Sequence, residues 1–397
     1  VQTCALPISN LNGVTLVAYE SLSGEAWSYG AEGKQYVFAQ HQDLNDEDQT
    51  VNNMLIDTKV SADKTGTTMV YAETGAAVTD TVTLQGTASG KNYRVEGRIV
   101  DQETEETVTD GAGKEITAAV DFTGKAGSQT VTVNYSFDAS TMAGGKYVVF
   151  ESVYLMDGEE KILMATHEDL ADKDQTFTVP KIETNLYDAS TMTNISYPGD
   201  NIELRDILSY TGLEPGKTYT VSSRLVHQDT GETYVDGDGK SMDLKDHFQF
   251  TPEEPDGDVE VSIPINGSNL SGCLVAYQTV TLNGDMIGKH EDITSETQTL
   301  FVPGIQTSAT DKETGSKYIK ADPEMTIVDA VTFENMQDGM AVILKATLMD
   351  KETGEALKDA NGDPITAEHE FVPDGTSGTE NVEITFDGTN LKGKTVV

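Results

Sequence analysis

From about residue 55 onward apolar and polar residues alternate with a period of two, and the 3.6-residue apolar spacing of amphipathic helices is scarcely found. Residues 93–100, 131–137 and 146–156 predict strands rich in Val, Thr and Tyr, separated by turns rich in Gly and Asp. The pattern is that of an all-β chain.

Superposed on it is a long repeat. A His followed eight residues later by a Gln occurs at His41 and Gln49, His167 and Gln175, and His290 and Gln298. Each Gln is followed by Thr and apolar residues, with Pro180 and Pro303 closing two copies, which predicts a last, glutamine-bearing strand running into a linker. Thr58, Thr184 and Thr307 recur at about the same interval, as do Asp80, Asp206 and Asp329. A repeat of about 125 residues is the size of one β-sandwich domain. It divides the chain into residues 1–54, the end of a unit; 57–180 and 181–303, two complete units; and 305–397, the start of another. Residues 1–8 match no other unit and are set aside as artefactual. The two partial units are complementary, which raises head-to-tail joining of chains; frayed truncation products are the simpler expectation.

Strand alternation places particular polar residues on the apolar face. Asp80 shares a side with Val78, Val82 and Leu84; Asp206 with Ile202, Leu204, Leu208 and Tyr210; Asp329 with Ile327, Val331 and Phe333. Gln175 lies with Phe177 and Val179, and Thr58 with Val60 and Ala62. Buried without partners, each such group costs about 1–3 kcal/mol, and a charge more. Two arrangements satisfy them: a buried hydrogen-bond network, or a reaction in which a Thr hydroxyl attacks a Gln carboxamide, assisted by Asp, Glu and His, to form an ester and release ammonia.

Composition narrows the classes. A net charge of -41 and a pI near 4.2 oppose nucleic-acid binding and describe a solvated acidic exterior. Cys4 and Cys273 provide no disulfide framework, and Cys273 is expected to be a small buried apolar residue. No run approaches a transmembrane span. The acidic segments 110–114, 236–240 and 359–363 lack the spacing and terminal Glu of a calcium loop and are expected to be hairpin turns. No metal or cofactor is expected.

The strand Val148-Val149-Phe150-Glu151, the Asp80-Thr81 strand, His167-Glu168-Asp169 and Asp174-Gln175-Thr176 together resemble the VaFE-type, Thr-Gln ester-bond-forming domains found in tandem along surface adhesins of Gram-positive bacteria. The resemblance implies immunoglobulin-like β-sandwiches whose first and last strands are joined by a self-generated ester. In unit 57–180 it implies Thr58 as nucleophile and Gln175 as acceptor, with Asp80, Glu151 and His167 assisting. Burial raises carboxyl pKa values, so Asp80 and Glu151 are expected to share a proton. His167 either deprotonates Thr58 or orients the acid pair. Unit 181–303 keeps Thr184, Asp206, His290 and Gln298 but has Gln278 where Glu151 stands, and an amide cannot act as an acid. Slow or absent cross-linking is expected there. Its Thr184 also lies one residue closer to the following Asp188 than Thr58 does to Asp63, which leaves the strand register open. The partial units carry Glu20, His41 and Gln49, and Thr307 and Asp329.

The implied function is a cross-linked stalk, extracellular and attached to the cell wall. Its partners are the neighbouring repeats and, through a tip region elsewhere, a host surface ligand. It performs one turnover on itself and is not otherwise an enzyme. The alternative is a ligand-binding sandwich with an uncross-linked polar network, for which an exposed aromatic platform would speak; the lone Trp27 lies in the first partial unit. A hydrolase is disfavoured by a Thr nucleophile on a core-facing strand with no nucleophile elbow. A Lys-Asn amide is disfavoured because Lys59 has the wrong parity for the core.

Overall fold

The computed structural model describes residues 15–25, 33, 35–391 and 395. Among these the regular elements are β-strands and short 3-10 turns. The first stretch holds β1 (Thr15–Val17), β2 (Glu20–Glu25), β3 (Gln35–His41) and β4 (Thr50–Asn52), with β1 paired to β4 and β2 to β3. The next contains β5 (Leu55–Ala62), β6 (Thr74–Gln85), β7 (Asn92–Asp101), β8 (Thr117–Thr123), β9 (Ser128–Asp138), β10 (Lys146–Asp157), β11 (Glu160–His167) and β12 (Thr176–Thr178). These form two facing sheets, β5-β6-β9 and β11-β10-β7-β8, with β12 beside β10.

The same plan is repeated by β13 (Lys181–Asp188), β14 (Gly199–Thr211), β15 (Tyr219–His227), β16 (Asp243–Phe250), β17 (Gly257–Gly267), β18 (Gly272–Leu282), β19 (Asp285–His290) and β20 (Thr299–Val302). Its sheets are β13-β14-β17 and β16-β15-β18-β19, with β20 beside β18. The last stretch holds β21 (Gly304–Asp311), β22 (Met325–Glu334), β23 (Val342–Thr347), β24 (Thr366–Phe371) and β25 (Gly378–Phe386), in sheets β21-β22-β25 and β23-β24. The protein is an array of immunoglobulin-like β-sandwiches.

Period-two patterning works here because each sheet buries one face. In the first complete sandwich Val78, Val82, Leu84, Val133 and Phe137 pack against Val95, Ile99, Val149 and Val153 of the opposite sheet. The predicted inward polar residues occupy one rung across this core. Thr58, Asp80 and Glu151 are buried, each flanked two residues away along its strand by apolar side chains. In the second sandwich the corresponding rung of Thr184, Asp206, Ser223 and Gln278 is also buried. It separates the apolar core into two clusters, one around Leu204, Leu225 and Ile263 and one around Leu208, Val221 and Val261.

The two sandwiches share a seam. Met69, from the β5–β6 connection, is fully buried among Ile182, Leu208 and Tyr219 of the second sandwich. The Tyr219 hydroxyl donates to its Sδ at 3.2 Å. Beside it, the Thr68 N–H and hydroxyl donate to Glu214 Oε1 at 3.2 and 2.9 Å, and the Thr178 hydroxyl to the Gly212 carbonyl at 2.9 Å.

Several expectations are corrected or completed. The glutamines are not within strands: Gln175 directly precedes β12, and Gln49 and Gln298 end 3-10 turns before β4 and β20. The following threonine explains this, because its hydroxyl donates back to the carbonyl four residues earlier (Thr50 to Asp46, Thr176 to Asp172, Thr299 to Ser295) and closes a turn before pairing begins. The register of β13 equals that of β5, since Thr58 lies opposite Val82 and Thr184 opposite Leu208. Asp188 takes the place of Ala62, not of Asp63, and is held by the hydroxyls of Ser190 and Ser196. Cys273 is half-buried, not fully buried, because it sits near the start of β18, opposite Phe301.

Asp110, Asp236 and Asp359 each use Oδ1 to accept backbone N–H groups two and four residues on, the geometry of a turn. Residues 1–8, including Cys4, as well as Trp27 and Val396–Val397, lie outside the described residues.

Candidate ester-forming site

In the first complete sandwich the site assembles from both sheets and from the segment before β12. Thr58 on β5 lies beside the end of β11, and its Oγ1 is 3.3 Å from His167 Nδ1. The other imidazole nitrogen, Nε2, is 3.0 Å from Asp172 Oδ2. An Nε2–H donated to Asp172 leaves the Nδ1 lone pair facing the Thr58 hydroxyl, the tautomer a base requires. Asp172, in the turn before Gln175, was not singled out from the sequence. Its available signal was a fixed spacing: Asp46 follows His41 by the same five residues and meets its Nε2 at 2.8 Å.

On the other side of the rung, Gln175 is buried and its Nε2 donates to Glu151 Oε2 at 2.7 Å. The buried carboxyls of Asp80 and Glu151 adjoin each other, and both Asp80 oxygens and Glu151 Oε1 have no hydrogen-bond donor, an arrangement that two carboxyls tolerate by retaining a proton. Burial pushes both carboxyls upward, and for Glu151 the Asp80 charge adds to the rise. The pair therefore retains a proton that belongs to the two carboxyls jointly. Tyr135 of β9 lies beside Glu151, its hydroxyl is buried without a hydrogen-bond partner, and burial pushes the phenol far upward, so it stays protonated. Room for that hydroxyl exists only because residue 97, opposite Glu151 on β7, is glycine: a Cβ there would lie 1.9 Å from the Tyr135 oxygen. The Gln175 Oε1 oxygen is buried with no hydrogen-bond partner. A carbonyl oxygen left unpaired beside a protonated carboxyl pair is set to accept more strongly as negative charge develops on it.

The second sandwich assembles the same rung with different chemistry. Thr184 Oγ1 is 3.2 Å from His290 Nδ1, which also accepts the Thr184 backbone N–H at 3.0 Å. Ser295 stands where Asp172 stands, so the imidazole lacks the corresponding carboxylate, and burial lowers its pKa. Gln298 turns its nitrogen toward the nucleophile, with Nε2 donating to Thr184 Oγ1 at 2.9 Å. Gln278 Nε2 donates to Asp206 Oδ2 at 2.8 Å, and its Oε1 accepts from the Ser223 hydroxyl at 2.7 Å. Burial pushes Asp206 up to about 7.

The partial units are placed consistently with these. Glu20 pairs across strands with His41 and accepts from Gln49 Nε2. Thr307 lies opposite Val331 and is exposed, and Asp329 lies opposite Val382 and is half-buried. Lys59 points outward toward Asp174.

The family model for the T-Q ester bond containing domain matches residues 2–53, 54–179, 180–302 and 303–397. No curated protein matches the chain. Among solved structures, a bacterial adhesin from Mobiluncus mulieris containing intramolecular disulfide, isopeptide and ester bond cross-links is 13% identical, with 66% of this chain and 90% of that one covered and a TM-score of 0.28. Red sea bream transglutaminase is 8% identical, with coverage of 61% and 32% and a TM-score of 0.21.

Proposed function

We infer the function of this chain from the family it belongs to, the T-Q ester bond containing domains, and from the chemistry of its buried rung. The chain is a structural array of repeats in which Thr58 and Gln175 of the first complete sandwich condense to an ester. The observation that carries this reading is the alignment of Thr58, His167 and Asp172 on one side of a buried glutamine and the buried Asp80–Glu151 carboxyl pair on the other.

His167 Nδ1 removes the Thr58 proton while Asp172 steadies the imidazolium. The alkoxide attacks Gln175 Cδ, and the oxyanion is stabilised by the proton held between Asp80 and Glu151. Glu151, already bonded to Nε2, protonates the departing nitrogen, and ammonia leaves. The imidazolium then loses its proton and the carboxyl pair regains one, so the net change is hydroxyl plus carboxamide to ester plus ammonia. The pair Thr184 and Gln298 cross-links slowly or not at all, because neither an acid at position 278 nor a carboxylate behind His290 supports it. Recovery of that ester at full occupancy would overturn the acid role of Glu151.

A covalent tie between β5 and the segment entering β12 carries a pulling force past the rest of the sandwich. Together with the resemblance to repeats of Gram-positive surface adhesins, this supports an extracellular stalk, attached to the cell wall, that presents a host-binding tip. The test is the intact mass of the denatured chain followed by peptide mapping. Loss of one ammonia, about 17 Da, in a linked peptide pair holding Thr58 and Gln175 is expected. Recovery of both peptides unlinked from folded protein would refute it.

A further inference from the structure

At the rung position where the first sandwich has Gly97 opposite Glu151, the second has Ser223 opposite Gln278. A hydroxyl thus stands next to a carboxamide, both fully or nearly fully buried, with Ser223 Oγ 2.7 Å from Gln278 Oε1. In the last stretch the equivalent residue is Ala346, so the hydroxyl is not a general feature of the repeat.

A second difference supplies a base. Between Lys114 and Val120 the first sandwich runs directly into β8, whereas the segment from Lys240 to Phe248 is two residues longer. The extra length forms a bulge in β16, where the pairing with β15 shifts register between Val221 and Ser223. Asp246 adopts a positive φ of 49° within it, and its N–H is held by the Ser222 hydroxyl at 2.9 Å. Bulges re-aim side chains. Here the re-aimed residue is His247, whose Nε2 is 2.6 Å from Ser223 Oγ. Burial lowers the His247 pKa, with the Lys240 charge adding to the effect, so the imidazole is neutral near pH 7.

We propose that the second sandwich carries its own ester-forming site, in which Ser223 condenses with Gln278 and links strands β15 and β18. With its own proton on Nδ1, His247 accepts the Ser223 proton at Nε2 once the hydroxyl turns from Gln278 Oε1 toward the imidazole, and the freed Oγ attacks Gln278 Cδ. Asp206, whose Oδ2 is 2.8 Å from Gln278 Nε2, delivers a proton to the departing nitrogen. One C–O bond forms, one C–N bond breaks, ammonia leaves, and the protons on His247 and Asp206 re-equilibrate. With Asp206 pushed up to about 7 by burial, its acid form is present at neutral pH. The same contact explains why Thr184 and Gln298 are poorly served: the acid of this rung is committed to the other glutamine.

The experiment is peptide mapping of the whole folded chain, digested at acidic pH to preserve esters. A linked pair containing Ser223 and Gln278, about 17 Da lighter than the sum of its parts and separated by hydroxylamine, is expected in nearly every molecule. Ser223→Ala abolishes it, and His247→Gln lowers its yield at least tenfold in freshly folded protein. Succinimide formation at Asn283-Gly284 also loses ammonia but links no second peptide. Recovery of the wild-type Ser223 and Gln278 peptides unlinked and at full mass overturns the proposal, as does a linked pair that persists in Ser223→Ala. Linkage of Thr58 to Gln175 is read from different peptides in the same digest, so the two sites stand or fall separately.

Discussion

Replacing Thr58 by alanine tests the energetic consequence of the first cross-link. The substitution removes the nucleophile, while β5 keeps its pairing with β6 and the burial of Val60 and Ala62. An ester between Thr58 and Gln175 closes a loop of roughly 120 residues, and chain entropy assigns such a closure about 5 kcal/mol through the unfolded state. For a domain of this size roughly 3–5 °C of Tm accompanies each kcal/mol, so the first sandwich is expected to melt about 15–25 °C lower. Differential scanning calorimetry reads the transition, and intact mass read beside it reports retention of the ammonia. A transition within about 3 °C of the wild type, with the ammonia deficit unchanged, would refute both the cross-link and the stabilisation derived from it. A retained ammonia with no change in Tm would refute the stabilisation alone.

Two further outcomes are expected. Asp206, ionised in the unfolded chain above its ordinary range, is held up to about 7 when folded. The folded state therefore binds the extra proton between about pH 4 and 7, and stability falls as pH rises through that window. In chain with the Ser223–Gln278 pair blocked as Ser223→Ala, acidification from pH 7 to 5 should stabilise the second sandwich by roughly 2–3 kcal/mol. Asp206→Asn should flatten that slope in urea titrations, and an unchanged slope would assign it elsewhere. Met69→Ala empties a fully buried site against Tyr219 and should cost about 2–5 kcal/mol. Calorimetry should then show the two sandwiches melting further apart, and identical thermograms would mean that the seam is not coupled.

Much was legible in the strand pattern because β-structure has a period of two. Once one face is apolar, the parity of Thr58 and Asp80 follows, and both are buried as that parity requires, while Gln175, in the turn entering β12, is buried beside them. The recurrence of His and Gln at a constant interval marked residues that one rung then brings together. Spacing along the chain, however, carries no information about which rung of one sheet faces which rung of the other. Tyr135 and Gly97, on strands remote from the glutamine, therefore appeared as ordinary strand residues until packing brought the phenol beside Glu151. Asp172 resembled one more acid in an acidic loop until the turn set it against His167. In the second sandwich Gln278 read as the loss of a catalytic acid. That it lies between a buried serine and a buried aspartic acid, with an imidazole brought in by a bulge, is a property of cross-strand register and of two inserted residues, which only the folded sheets bring together.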